Sequence, residues 1–424
     1  MKKKDKKKNP QQLKQEEIHQ KNLYLKRIKA MMGIVGSESA YECLGSMGVE
    51  MLYLFRVRPV KLITHDTSAL KVSKNDLTFL NDQLNRQLRN LFVTIGPEKK
   101  QVSVYDFYAY IETLQMVWRN VHKGNCLHPE AFKEKLPAFN GTYEKIRVDI
   151  LIMLEDYLAM LSWLYSDMTH HIIRVEQAPI KDTNSLSDKS AFFNNYIVRF
   201  EKPAYELFEI DGHKRPIYQL ASYRMEKCVK IVLTPQQLGM KGILQQLPLK
   251  VYIQMHALER IKERLGSFFM NVSYMEIFNS ILALETFPSE DGGFLFLYGH
   301  SNKRLGYLKA KVMGDKIIIR TFLFLTNNGT PEGKKLATLL GVQKADKKYL
   351  GIDKLSTFIN SDIESNENLK RIFCQAGCGS LFEMKNFMEK KPDHIIPCAD
   401  YITRYLGLIK EEEAVNSEVL DTYS

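Results

Sequence analysis

The chain has 424 residues, of which 45% are hydrophobic and 26% charged, with a formal net charge of +11. That composition excludes a disordered or collagen-like chain, and the length allows two or three domains with cores of their own. No apolar run reaches the roughly 20 residues of a membrane-spanning helix; the most apolar stretch, Ile146 to Tyr165, is broken by Arg147, Asp149, Glu155 and Asp156.

The first element is a basic segment, residues 1–23, whose lysine-rich start reads as a disordered tail or a frayed helix. Residues 1–30 hold eleven Lys and Arg against three acids, so most of the net charge sits there. Such a tail serves either as a non-specific electrostatic arm or as a solubilising extension. No signal-type apolar segment follows it, and the six cysteines are scattered, so a cytoplasmic location is expected.

Residues 24–179 read as a helical bundle. Leu77, Leu80, Leu84, Leu88 and Leu91 recur at helical spacing from Asn75 to Phe92. Tyr108, Ile111, Leu114 and Val117 do the same from Tyr105 to Val121, and a longer helix is predicted from Thr142 to His170. There His170-His171 would place cationic character at the helix C-terminus. His122, Cys126 and His128 flank a turn and offer a weak metal-ligand pattern.

A polar connector, residues 180–190, precedes a β-rich segment over 190–245. Asp211-Gly212 lies between two runs of aromatic and β-branched residues and predicts a hairpin. Residues 246–345 then read strand, helix, helix and several strands. Gly314-Asp315 predicts a tight turn, and a helix is predicted from Pro331 to Leu340. Residues 346–424 form a helical C-terminal extension with an acidic tail.

The sharpest chemical signal is VYIQMHALERIKERLG, Val251 to Gly266. His256, Arg260 and Arg264 are four residues apart, so on a helix they share a face. Residues 246–360 hold sixteen Lys and Arg against ten acids, the positive part of the chain body. An imidazole works as acid or base near neutral pH, and guanidinium groups bind phosphate oxygens bidentately. The competing reading is a solvated helix face whose arginines pair with Glu259 and Glu263.

The motif His256-Ala257-Leu258-Glu259-Arg260, followed by Arg264 and the strands GYLKAKVM and KIIIRTFLFLT, resembles the HAxxR-bearing, BrnT-like group of small bacterial ribonuclease-toxin domains. The resemblance covers about a quarter of the chain. It implies a small antiparallel-sheet domain of the RelE/barnase-like fold, which with the helical N-terminal domain before it and the helical C-terminal tail after it makes the chain an α+β protein. It also implies a metal-independent endoribonuclease with His256 as base, held neutral by the helix dipole and nearby arginines. Arg260 and Arg264 would hold phosphate, while Arg320 or Thr321 on the last strand would add a cation or a hydroxyl. Strand alternation allows just one of those two to face the helix. Here the domain sits between two large flanking segments, unlike the free-standing members of that group.

No cofactor is expected, although Cys374, Cys378, His394 and Cys398 could close a zinc site. The default for such residues is a helix end with small buried thiols. The expected partner is RNA. The alternative is a non-catalytic protein that docks a protein partner through its helical domain, with no membrane association.

Overall fold

The computed structural model describes residues 9–56, 58–64, 73–96, 98–177, 193–224, 227–240, 247–387 and 398–408. Contacts divide the chain into two units, Met1–Ser162 with Arg174–Phe200, and Trp163–Ile173 with Glu201–Ser424.

In the first unit, α1 (Pro10–Val35) begins where the Asn9 side chain accepts a hydrogen bond from the Gln11 amide, with Pro10 at the first helical position. Of the two readings of the basic segment, a disordered tail or a frayed helix, residues 10–23 take the helical one, and residues 1–8 lie outside the described residues. Next come α2 (Ser46–Leu54), β1 (Arg58–Thr64) and α3 (Lys74–Asn90). Leu80, Leu84 and Leu88 form the buried stripe of α3, following the spacing seen in the sequence. The β2 (Phe92–Ile95) and β3 (Lys100–Ser103) strands pair as a hairpin. A π-helical turn, Phe107–Ile111, joins α4 (Val104–Asp106) to α5 (Glu112–Asn120), so the region expected as one regular helix is interrupted. Then follow α6 (Pro129–Glu134), α7 (Thr142–Leu164), β4 (Ile172–Gln177) and β5 (Phe193–Glu201).

This unit is not the purely helical domain expected. Strands β1, β5 and β4 form a sheet in that order, with β1 parallel to β5. A parallel partner so remote in sequence leaves no local signature. The α7 helix also stops at Leu164, and His170 and His171 belong to the turn after it, where Asp167 bridges to His171. They do not cap a helix.

The second unit is built on a mixed sheet. A hairpin joins β6 (Tyr205–Ile210) to β7 (His213–Gln219) through Asp211 and Gly212, both left-handed at φ 52° and 75°. Asp-Gly suits that turn because both central residues need positive φ. Next come β8 (Ala221–Arg224), β9 (Lys227–Lys230), β10 (Val232–Leu233) and β11 (Leu249–Gln254). Helices α8 (Met255–Leu265) and α9 (Ser267–Leu282) follow, then β12 (Thr286–Pro288), β13 (Phe294–His300), β14 (Lys303–Met313) and β15 (Lys316–Phe324). The strand order is β12-β13-β14-β15-β11-β7-β6, with β10 paired to β11.

Strand β11 runs parallel to β15, so the sheet is mixed rather than antiparallel, and β6 and β7 widen it beyond residues 246–345. One face buries Val251, Ile253, Ile317 and Ile319 against Leu258 and Ile261 of α8 and Ile277 and Phe278 of α9. The other face carries a smaller cluster of Ile210, Ile217, Tyr252 and Ile318. Each fully buried side chain of this size contributes about 1.5–3 kcal/mol.

After the sheet come α10 (Pro331–Leu340), α11 (Lys344–Tyr349), α12 (Leu355–Asn360), α13 (Glu367–Ala376), α14 (Ser380–Glu383) and α15 (Ala399–Tyr405). Phe358, Phe373 and Phe382 pack edge to face and tie α12, α13 and α14 together. The connector at 180–190 and the acidic end, 409–424, lie outside the described residues. Among the described residues no helix is long and apolar enough to cross a membrane.

Candidate functional site

Strand β11 runs directly into α8 at Gln254, which places His256 in the first helical turn. Ala257, Leu258, Ile261 and Leu265 are the buried positions, so His256 and Arg260 face outward. His256 is 42% exposed. The Arg260 Nε lies 3.5 Å from His256 Nε2, at the outer limit of a hydrogen bond. The Arg260 guanidinium is paired with Glu263. Burial favours a raised Glu263 pKa, but the Arg260 hydrogen bond and the Arg264 and Arg260 charges outweigh it and hold the carboxyl below its usual range.

Arg264 departs from the expected surface. Its side chain is 11% exposed, ion-paired with the Asp353 carboxylate, and its Nη1 donates to the Asp353 carbonyl at 3.3 Å. The reason is helical drift. Each four-residue step advances about 40°, so two steps turn Arg264 about 80° from His256 towards the buried side. Three residues at this spacing share a broad face but not one environment.

Arg320 and Thr321 do not join His256 either. The β14–β15 register shifts between Lys309 and Ala310, with Ala310 opposite Ile319 and Lys309 opposite Thr321. Arg320 is therefore the extra residue of a bulge. Ile319 before it and Phe322 after it both belong to the core shared with α8. Alternation then puts both Arg320 and Thr321 on the face away from α8. Arg320 is ion-paired with Asp211 of the β6–β7 turn. Neither side chain is delivered to the helix surface, so the expectation that one of them would be is corrected.

The thiols are similarly dispersed. Cys374 is exposed on α13, Cys378 is buried just beyond it, and Cys398 is exposed at the start of α15. His394 lies outside the described residues. Burial, reinforced by the Glu332 carboxylate, pushes the Cys378 thiol up to about 12, while Lys347 opposes the shift. A zinc ligand must shed that proton. Among the described residues no group of three or more His, Cys, Asp or Glu is placed to hold a metal. Near the N-terminal histidines, Cys126 donates its thiol hydrogen to the Cys43 carbonyl and His122 Nδ1 accepts from the Gly124 amide.

The structure exposes a second constellation. A cleft of about 660 Å³ opens between α9 and the β13–β14 turn, lined among others by Glu276, Asn279, Glu285, His300, Lys303 and Arg304. Such a volume suits a small ligand or a nucleotide fragment. His300 Nδ1 lies 2.7 Å from Glu276 Oε1, and both side chains are largely buried. The rings of Phe269 and Phe387 meet the imidazole edge to face at 5.6 and 5.9 Å. Arg304 is 53% exposed, with its Nη2 3.8 Å from Glu285 Oε1. Lys303 is paired with Glu383.

Backbone geometry builds this cleft. Ser301 and Asn302 are both left-handed, at φ 48° and 62°, giving a tight two-residue hairpin. The register shifts between Tyr298 and Gly299. At Gly299 a Cβ would lie 2.5 Å from the Lys303 carbonyl oxygen, so a side chain there would force the strands apart. This bulge and turn set His300 against Glu276 of α9. Sequence reasoning missed the pair because its members are 24 residues apart on different elements. The readable trace was the Ser-Asn turn in GHSNKR.

No protein-family model, curated protein or solved structure matches the chain.

Proposed function

We propose that the second unit is an RNA-directed domain that cleaves the phosphodiester backbone without a metal ion, in the manner of a RelE/barnase-like fold. The observation that supports it best is the order strand, helix, helix and four strands, with β11 parallel and adjacent to β15. That order stands behind the outward His256–Arg260 pair that carries the resemblance. The positive balance of residues 246–360 supports a polyanionic partner. Arg260 reaches phosphate by exchanging Glu263, an exposed exchange of low energetic weight. Arg264 has no part in that contact.

Single-stranded RNA incubated with the protein and a chelator is expected to yield 2′,3′-cyclic phosphate and 5′-hydroxyl ends. A substrate with 2′-deoxyribose at the scissile position should resist, because its nucleophile is missing. Intact RNA across single-stranded and folded substrates defeats this reading.

A second reading is favoured by the acidic partners of Arg260, Arg264 and Arg320, and by Val148 and Ile152, which are 53% and 57% exposed one turn apart on α7. It makes the protein a non-catalytic binder that docks a protein partner on its helical unit. Val148→Asp would then abolish partner capture while leaving the fold intact.

A further inference from the structure

We infer that the pocket where β6, β7, β9 and β11 meet binds a dicarboxylic α-amino acid, of which L-aspartate and L-glutamate are the simplest. The inference stands apart from the RNA reading, and its test involves no RNA. The pocket measures about 270 Å³, and its polar lining is Glu206, Gln219, Lys230, Lys250 and Tyr252. Pockets for drug-sized ligands run to roughly 300–1,000 Å³, so this one suits a smaller molecule.

Strand register gathers these side chains. Tyr252 lies opposite Gln219, and Glu206 lies opposite Ile217, two residues before Gln219. Lys250 is two residues before Tyr252 on β11. Alternation therefore puts Glu206, Gln219, Lys250 and Tyr252 on one face of the sheet. It is the face away from α8, because Ile217 and Tyr252 belong to the smaller cluster on that side. Lys230 comes from β9, where it pairs with Ala221, just beyond the end of β7.

Two observations point to a ligand. Gln219 is 6% exposed, and among the described residues its carboxamide has no hydrogen-bond partner. A buried amide left unpaired is destabilising until something bonds it. The charges are also unbalanced. Lys250 is held by Asp315 at 3.0 Å, with both groups about half exposed. Lys316 reaches Asp315 at 2.9 Å and approaches Glu206 Oε1 at 3.4 Å, an oxygen that makes no hydrogen bond. Lys230 has no ion-pair partner among the described residues. Three ammonium groups thus face two carboxylates, which leaves one positive charge over.

The signs are separated across the pocket, with ammonium groups on β9 and β11 and a carboxylate on β6. A dicarboxylic amino acid carries the matching set: two carboxylates, one ammonium and a single net negative charge. Its carboxylates meet Lys230 and Lys250, its ammonium meets Glu206, and the Gln219 carboxamide donates to a carboxylate oxygen. Lys250 exchanges an exposed carboxylate for that of the ligand, at little energetic expense. Burial pushes the Tyr252 hydroxyl up, with Glu206 adding to the shift and Lys316 and Lys250 opposing it, so the phenol stays a neutral donor. A bare oxyanion such as phosphate would instead meet the like charge of Glu206.

Calorimetric titration of the full-length protein with L-glutamate, L-aspartate, glutarate, L-alanine and inorganic phosphate tests the site. Wild type is expected to bind L-glutamate or L-aspartate saturably, one per chain. Glutarate lacks the ammonium and L-alanine the second carboxylate, so each should bind at least about tenfold more weakly. Lys230→Met should weaken the amino acid about tenfold. Lys227→Met, on the same strand but outside the pocket lining, should stay within about twofold of wild type. Glu206→Gln should erase the preference for L-glutamate over glutarate, a change that a purely structural role would not produce. Gln219→Leu should weaken binding about fivefold and yet raise the unfolding midpoint of the free protein, because an apolar side chain replaces an unpaired amide. If that variant fails to fold, Gln219→Met takes its place.

No saturable binding of either amino acid at millimolar concentration overturns the inference. Phosphate that binds more tightly than both overturns it too, by making the pocket an oxyanion site. So does amino-acid binding that Lys230→Met and Glu206→Gln leave unchanged, since the ligand would then sit elsewhere. None of these results bears on RNA cleavage, and failure of the RNA reading leaves this site as it stands.

Discussion

Arg264→Ala is expected to destabilise the second unit by about 3–5 kcal/mol, the usual result of stripping one partner from a buried ion pair. The Asp353 side chain is 4% exposed, and its Oδ1 has no hydrogen-bond partner among the described residues. Removing the guanidinium leaves that carboxylate buried without compensation. The loss arises from the stranded charge rather than from a missing favourable contact, so the double variant Arg264→Met with Asp353→Leu should recover most of it. Urea unfolding, followed through the transition that belongs to the second unit, checks both. Cleavage per folded molecule should be unaffected in the double variant. A stable Arg264→Ala protein that had lost activity would return Arg264 to the phosphate-handling surface.

Lys347→Met is expected to cost about 3 kcal/mol at pH 7 and to change how stability depends on pH. The Lys347 ammonium is buried and donates to the Thr326 carbonyl at 2.8 Å, the Asn328 Oδ1 at 2.5 Å and the Gly333 carbonyl at 2.6 Å. It joins α11 to the loop before α10 and to the first turn of α10. Methionine fills the space but leaves those acceptors without their donor, at about 1–3 kcal/mol for each group that water cannot reach.

Burial lowers the Lys347 pKa from 10.5 to about 8, with the nearby Cys378 thiol opposing. In the window between about 8 and 10.5 the unfolded chain therefore holds a proton that the folded chain has shed. Stability contributed by this group consequently rises with pH across that window, and the penalty of burying the charge is fully present below it. The slope is at most about 1.4 kcal/mol per pH unit. Unfolding free energies measured at pH 7 and pH 9.5 should show a rise in wild type that is absent in Lys347→Met. Equal pH dependence in the two proteins would show that the ammonium is held charged by its three acceptors despite burial.

Much of the local structure was legible. The leucine spacing near residue 80 marks α3, and Thr330-Pro331 marks the start of α10, whose bounds match the predicted ones. Asp211-Gly212 and Gly314 turn the chain where expected, each with positive φ. These signals are local because helical periodicity and turn chemistry depend on residues within a few positions of one another. The sheet of the first unit was not legible. Its β1 pairs with β5 across more than half of that unit, and parallel pairing of remote strands has no short-range pattern.

The same division applies to the chemistry. From spacing alone His256 and Arg260 could be placed on an outward helix face, and they are found there. Spacing could not tell that Arg264 meets Asp353, 89 residues further on, or that a bulge turns Arg320 towards Asp211. Nor could it bring His300 to Glu276. By itself, then, the sequence determined the elements with strong local periodicity or turn chemistry, such as α3, α10 and the Asp211-Gly212 hairpin, and which residues carry chemical capacity. The tertiary structure decided which of those charges are free and which are consumed. A charge's environment depends on partners that only long-range packing supplies, and a shift of 40° or a single bulged residue is enough to change it.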